Sequence, residues 1–249
     1  VELTIDISNV KFAIGMPGYG LIPAETTVSL INSIRELDRY GVDVSLCFEF
    51  RNSLVDSARN NVTHMFLNDT TADKLIFIDS DMCWKEEQLI RLCCLSTMYK
   101  VVGGMYSTKN EKDQKFLGVH YRDKEGNLEF DKYGMVRMMG CGLGFMAIDR
   151  SVFEDMMETT AKYEDGKKDK QIYRFFQTDV QDGKLIGEDI YFLKRWCTDF
   201  NGSVWIDPDM NLGHVGYKVY RGNLRSALAA FQQNPTAGLK VPVDNTEKE

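Results

Sequence analysis

Three places in this sequence combine a chemically capable side chain with an unusual setting. The first is KLIFIDSDM at 74–82, where an apolar run leads straight into Asp79-Ser80-Asp81. Two carboxylates one residue apart repel each other, and each loses hydration as it nears a core. A divalent cation relieves both costs. Carboxylate oxygens suit hard ions such as Mg2+ or Mn2+, and an imidazole can join them on Mn2+. An ion held there can bridge a diphosphate and stabilise charge growing on a departing phosphate. The same triplet, placed before KEEQLI, also suits a helix N-cap. The second place is His214, in MNLGHVG (210–216), just after the strand-like VWIDPD. It reads either as a structural histidine or as a ligand, and Gly213 and Gly216 favour close backbone approach or an unusual turn. The third is Glu188-Asp189 after Gly187. Two acids there suit the positive end of a helix. Beside a metal-bound diphosphate, either can also act as a general base toward an attacking hydroxyl.

Weaker signals surround these. GCGLGFMAIDR (140–150) offers a backbone-lined wall for a sugar or phosphate at Gly142 and Gly144. It leads into a strand instead of out of a strand into a helix, so it fails the dinucleotide fingerprint. GMPGYG (15–20) follows the first strand; Pro17, Gly18 and Tyr19 form either a simple turn or a nucleotide-base cleft with Tyr19 as stacking surface. Arg59, in SARNN, falls on a helix, where it reaches an anion or merely faces solvent.

The elements that must position these residues are legible from periodicity. VKFAIG (10–15) reads as a strand, followed by a helix with Val28, Ile31, Ile34 and Leu37 at helical spacing and Gly41 as its stop. A strand at 42–50, a helix at 53–68, the KLIFID strand, a helix from about Glu86 to Tyr99 and the strand VVGGMY come next. This alternation predicts an α/β fold with a Rossmann-like, mostly parallel central sheet flanked by helices. Further on, short strand-like runs at 117–121, 128–130, 135–138 and 144–149 predict a smaller mixed or antiparallel sheet. A helix at 151–160, a mobile charged loop at 162–171, a helix after Gly187 and a strand in SVWIDPDM complete the reading. Residues 1–233 read as one domain, with a nucleotide-binding half (about 8–105) and a mixed-sheet half (about 106–222). The stretch 234–249 lacks periodicity and reads as an extended or frayed tail.

Bulk properties narrow the function classes. The chain has 249 residues, a net charge of −7 and a pI near 5.2, with no basic patches interleaved with aromatics, which argues against nucleic-acid binding. No apolar run approaches the roughly 20 residues of a membrane span. The N-terminal VELTIDISNVKF has neither a basic start nor an apolar signal core. Six cysteines, at 47, 83, 93, 94, 141 and 197, lie mostly in apolar segments without CxxC pairs. They read as free buried thiols in a reducing, cytoplasmic setting.

Together, the P-x-Y loop after the first strand, ARN on the helix before the third, hhhhDSDM, the glycine-rich strand, ED opening a later helix and a downstream histidine resemble nucleotide-sugar-dependent glycosyltransferases of the GT-A fold. The likeness covers about residues 8–222. It is nearest to inverting family 2-like enzymes, and among them to small stand-alone glycosyltransferases of large algal DNA viruses (chloroviruses) and phages. The resemblance implies that Asp81 and His214 bind Mn2+ (or Mg2+), with Asp79 at the donor ribose or behind the metal. Pro17, Gly18 and Tyr19 would line the base pocket, Ser80 would join the donor site, Arg59 would help hold the nucleotide, and Gly142 and Gly144 would border the sugar. Asp189 is the first choice for the base, then Glu188. The implied donor is a nucleotide-sugar, UDP-sugar favoured, and the implied acceptor a glycan or glycoprotein. The QxxRW pattern of processive family members is missing, since FLKRW (192–196) lacks the glutamine and lies too close to ED. Single-sugar transfer is therefore expected. Alternative readings are a retaining GT-A enzyme, a sugar-phosphate nucleotidyltransferase and a non-catalytic nucleotide-sugar binding module.

Overall fold

The structure, a computed structural model, describes residues 5–111, 113–165 and 170–233. The first half follows the alternation expected: β1 (Phe12–Pro17), α1 (Ala24–Arg39), β2 (Val44–Glu49), α2 (Val55–Asp69), β3 (Lys74–Ile78), a two-residue β4 (Met82–Cys83), α3 (Glu86–Ser96) and β5 (Val101–Gly103). The second half contributes β6 (Gly118–His120), β7 (Val136–Cys141), β8 (Phe145–Asp149), α4 (Arg150–Met157), β9 (Lys162–Asp165), β10 (Lys170–Tyr173), β11 (Asp179–Gln181) and β12 (Lys184–Ile186). It closes with α5 (Glu188–Asp199), β13 (Val204–Ile206), β14 (Leu212–Val215), β15 (Val219–Gly222) and α6 (Leu224–Gln233).

Eight strands form one sheet in the order β2-β1-β3-β8-β5-β13-β7-β6. From the pairings, six strands run one way and only β7 and β8 run against them. The strand-like runs at 117–121, 135–138 and 144–149 therefore extend the central sheet. The antiparallel β15-β14-β4 sheet is the small one, with two hairpins, β9–β10 and β11–β12, beside it. Residues 128–130 make only isolated bridges, Arg122 to Leu128 and Phe130 to Val136. Along β3, Leu75 and Phe77 join one buried cluster while Ile76 and Ile78 join the other. That alternation places a hydrophobic core on each face of the sheet. One core takes Val62 and Phe66 of α2, Phe153 of α4, Phe192 and Trp196 of α5 and Leu224 of α6; the other takes Leu30 and Leu37 of α1 and Leu89 and Leu92 of α3.

Two local expectations are corrected. In α1, Val28 and Ile31 are 57% and 52% exposed, and the buried stripe is Thr26, Ser29, Leu30, Ser33 and Leu37. The serines face inward because they have partners there: the Trp84 backbone N–H donates to Ser29 Oγ (3.1 Å) and its indole Nε1–H to Ser33 Oγ (2.9 Å). In the charged stretch expected as a loop, β9 and β10 pair antiparallel, and residues 166–169 lie outside the described residues. Lys170 pairs with Asp165, and Lys162 lies opposite Tyr173 with its Nζ 4.4 Å from the ring centroid. Opposite charges and a cation–ring contact across the strands stabilise what composition alone marks as solvated. The tail at 234–249 also lies outside the described residues. Helix α6, which sequence periodicity did not single out, buries Leu224, Ala227 and Leu228. Among the described residues no helix is long and apolar enough to cross a membrane. All six cysteines are free, four of them buried.

Candidate functional site

Chain segments leaving β1, β3 and β5 meet the start of β8 and the N-terminus of α5 at one place. Ligands of open α/β sheets gather at such carboxyl ends. Asp79 follows β3, and its backbone N–H donates to Gly144 O (3.1 Å), where β8 begins antiparallel to β3. Its side chain is held from both sides: Arg59 Nη2 donates to Oδ1 (2.8 Å) and the Tyr106 hydroxyl to Oδ2 (3.3 Å). Tyr106 OH in turn accepts the Gly144 N–H at 3.2 Å. A Cβ on Gly142 would stand 2.4 Å from Tyr106 Oη, and one on Gly144 2.7 Å from it and 2.8 Å from Asp79 Oδ2. Both glycines thus make room for Tyr106, and Gly144 also for Asp79. Burial, with Asp79 close by, raises the Tyr106 phenol well above its ordinary pKa, keeping it a donor.

Arg59 is 3% exposed, so it is not a solvent-facing helical arginine. Besides Asp79 it binds Glu188 Oε1 through Nε (3.1 Å), and its guanidinium lies 5.3 Å from the centre of the Phe77 ring. Burial opposes its charge, but Asp79 and Glu188 outweigh that and keep it firmly protonated. Glu188 is therefore tied down. Asp189, the next residue, faces a cavity of about 460 Å³ together with Tyr106, Ser107, Gly142, Ile190 and His214. Burial first, then the neighbouring Glu188 charge, pushes the Asp189 carboxyl up to about 6, against the Ile190 N–H and Arg59, which lower it.

His214 reaches Asp81 through the small sheet. Cys83 and Met82 of β4 pair with Gly213 and His214 of β14, and Val215 N–H donates to Asp81 O (2.7 Å). A Cβ on Gly213 would lie 2.5 Å from Cys83 Sγ, so this close pairing requires glycine. His214 Nδ1 sits 3.0 Å from Ser107 O and Nε2 3.5 Å from Asp81 Oδ2. A carbonyl only accepts, so Nδ1 carries a proton, and Nε2 faces the carboxylate: with a proton it donates to Asp81, and without one its lone pair is open to a cation. Lys109 Nζ lies 2.5 Å from the same Asp81 oxygen. Burial pushes the Asp81 carboxyl up, but the His214 and Lys109 hydrogen bonds and charges prevail and hold it at about 2. Carboxylate and imidazole with a carbonyl-anchored second nitrogen fit a Mn2+-type ion. Among the described residues no cluster of three His, Cys, Asp or Glu could hold a metal unaided. An ion at Asp81 and His214 would need further ligands from outside the protein.

A second cavity, about 340 Å³, is lined by Pro17, Gly18, Tyr19, Asn52, Ser53, Asp79, Ser80 and Asp81, and shares Tyr106 and His214 with the first. The residues singled out from sequence thus fall around two adjoining cavities, except Arg59, Glu188 and Gly144, which stand behind the lining residues. Tyr106 and the pair Asn52-Ser53 were not anticipated, and Lys109 was not singled out within its lysine-containing loop. The signal for Tyr106 was present, since VVGGMY is a strand whose carboxyl end meets the same edge as Asp79.

No family model and no curated protein matches the sequence. Among solved structures, A197 from STIV aligns over 96% of this chain and 98% of its own, with a TM-score of 0.50 and 18% identity. GalNAc-T7, solved with UDP, GalNAc and Mn2+, aligns over 83% of this chain and 43% of its own (TM-score 0.41, 12% identity). The inositol-1-phosphate CTP transferase from T. maritima aligns over 79% and 84% (TM-score 0.40, 11% identity). Likenesses this distant bear on fold, and the last two are too weak to argue from. The architecture is a GT-A type, Rossmann-like α/β fold; neither an enzyme family nor a viral lineage follows from it.

Proposed function

We propose that this chain moves one sugar from a nucleotide-sugar, UDP-sugar favoured, to an acceptor hydroxyl with inversion at the anomeric carbon. The observation that carries the reading is the pairing of the two cavities. One is lined by Pro17, Tyr19 and the Asp79–Asp81 triplet, the other by Asp189, and they adjoin at Tyr106 and His214. Donor and acceptor would thus meet at one wall, with a carboxylate on the acceptor side.

In this reading Pro17, Gly18 and Tyr19 flank the base, and Asp79, fixed by Arg59 and Tyr106, orients the donor. Asp81 and His214 would hold a divalent cation, Mn2+ or Mg2+, which supplies positive charge to the diphosphate. Lys109 adds an ammonium at the same spot. Asp189 takes the acceptor proton as the acceptor oxygen forms its bond to the anomeric carbon. The bond from that carbon to the diphosphate oxygen breaks, and the nucleoside diphosphate leaves with the electron pair. A raised carboxyl pKa suits this role, because a base near the working pH both exists deprotonated and takes protons readily. Glu188 holds Arg59 in place beside it. Residues 1–233 act as one domain in this scheme.

The test is release of UDP or GDP from a panel of sugar nucleotides with Mn2+, followed by proton NMR of the new linkage. Release with an inverted anomer is expected. Retention would sink the role of Asp189, a nucleotide triphosphate requirement would favour nucleotidyl transfer, and binding without release would leave a sensing module.

A further inference from the structure

The cavity beside Asp189 is built for a particular kind of acceptor. Its walls include Met105, Leu117, Val119 and Ile190. Leu117 and Val119 flank Gly118 at β6, the last strand of the sheet, and are 63% and 45% exposed. Residues two apart on a strand share a face, and both of these line the cavity. Aliphatic side chains left in water at the mouth of a cavity next to a candidate base mark a place where apolar surface is to be covered. At about 460 Å³ the cavity lies in the ordinary range for small-ligand sites, roughly 300–1,000 Å³.

The polar groups of the same cavity are mostly spent. Tyr106 OH donates to Asp79 and accepts from Gly144. Thr108 Oγ1 accepts the Lys115 N–H (3.1 Å) and donates to Asp113 O (3.5 Å). His214 Nδ1 is taken by Ser107 O. Among these side chains Asp189 Oδ2 and His214 Nε2 remain, Asp189 Oδ1 accepting the Ile190 N–H (2.7 Å), while the Ser107 hydroxyl is fully buried. A carbohydrate acceptor brings several hydroxyls, and each one buried here without a partner costs free energy. A molecule with one hydroxyl on an apolar body leaves none stranded.

We infer that the acceptor, under the transfer function proposed above, is a hydroxyl carried on an apolar aliphatic or aromatic body. Leu117, Val119, Met105 and Ile190 hold that body, and the hydroxyl faces Asp189. This narrows the acceptor from glycans in general to hydroxylated apolar compounds.

The experiment follows UDP release and product formation from UDP-glucose and other sugar nucleotides with Mn2+. The acceptors are ethanol, butanol, hexanol and benzyl alcohol, set against glycerol and glucose. Acceptor kcat/KM is expected to rise about two- to fourfold per added methylene, as burial of a CH2 predicts, and glucose is expected to do no better than water. The double substitution L117S/V119S is expected to flatten the chain-length trend; its readout is a ratio between acceptors, so a general loss of activity does not mimic it. Glucose or glycerol outperforming hexanol, or the absence of a trend, overturns the inference while leaving sugar transfer standing. A trend that survives in L117S/V119S overturns the assignment to this cavity. Failure to release nucleotide from every donor is a separate outcome, which sinks the transfer function and this inference with it.

Discussion

Arg59 Nη2 lies 2.8 Å from Asp79 Oδ1, and through Nε the same buried guanidinium holds Glu188 at 3.1 Å. One cation thus joins the residue at the end of β3 to the first turn of α5, where Asp189 sits. The two cavities are mechanically linked by a side chain on neither wall.

Removing that cation should be costly. Arg59→Met strands Asp79 and Glu188 near one another, and breaking one side of a buried ion pair typically costs about 3–5 kcal/mol. The urea midpoint should fall accordingly, with Arg59→Lys in between because it keeps the charge without the fork. A loss below about 1 kcal/mol in Arg59→Met would show that the pairs are solvent-screened, as surface ion pairs are.

Asp189 gives a stability prediction whose sign is opposite to that of most carboxylates. Its folded-state pKa, about 6, lies above the ordinary 3.8. Between roughly pH 4 and 6 the folded state therefore keeps a proton the unfolded chain has lost, so Asp189 lowers stability as pH rises through that window. Asp189→Asn should melt higher at pH 7, by about 1–2 kcal/mol after allowance for partial exposure, and the gain should vanish below pH 4. Calorimetric melts at the two pH values decide this.

The same residue should set the acid limb of activity. If Asp189 is the base, transfer falls as pH drops through about 6, tenfold per unit below it, and Asp189→Asn loses on the order of 10²–10⁴ in kcat. A variant that is more stable yet inactive would separate a functional carboxylate from a structural one. Glu188→Gln leaves Asp189 in place, so it should keep an acid limb.

Gly142 and Tyr106 can be tested as a pair. An added methyl at Gly142 meets the Tyr106 hydroxyl at 2.4 Å but the ring carbon bearing it only at 3.0 Å. Gly142→Ala should weaken donor binding by displacing Tyr106 from Asp79, and Tyr106→Phe should partly rescue Gly142→Ala despite being harmful alone. Donor titrations over the double-mutant cycle measure the coupling, and simple additivity would exclude the clash.

Lys109 already occupies one carboxylate oxygen of Asp81, so a divalent ion bound there would have to compete with it. Lys109→Met should tighten binding of Mn2+ alone, whereas Asp81→Ala should abolish it. Calorimetric titration with MnCl2 reads both, and wild-type affinity in Asp81→Ala would place the ion elsewhere.

Much of the architecture was legible because local pattern reports it directly. KLIFID is apolar at every position but its ends, and only a strand covered on both faces tolerates that. The acidic triplet then had to fall at a strand end, and the alternation of strands and helices fixed which edge. Where the pattern misled, a specific partner overrode it: Trp84 turned Ser29 and Ser33 of α1 inward and left Val28 and Ile31 in water. The charged 162–171 stretch gained cross-strand partners that composition cannot announce.

By itself, then, the sequence determined the order of the elements in the first half, the strand end that carries Asp79 and Asp81, and the candidates for chemistry. Tertiary structure decided how they are used. It inserted β8 between β3 and β5, which sets Gly144 against Asp79. It paired β4 with β14, which sets His214 against Asp81, and it buried Arg59 between two carboxylates, leaving Glu188 bound and Asp189 facing the cavity. The physical reason is range. Periodicity records whether a residue is covered, a property of its own few neighbours. Which distant segment covers it depends on strand pairing and close packing between parts of the chain far apart in sequence, which no local spacing encodes.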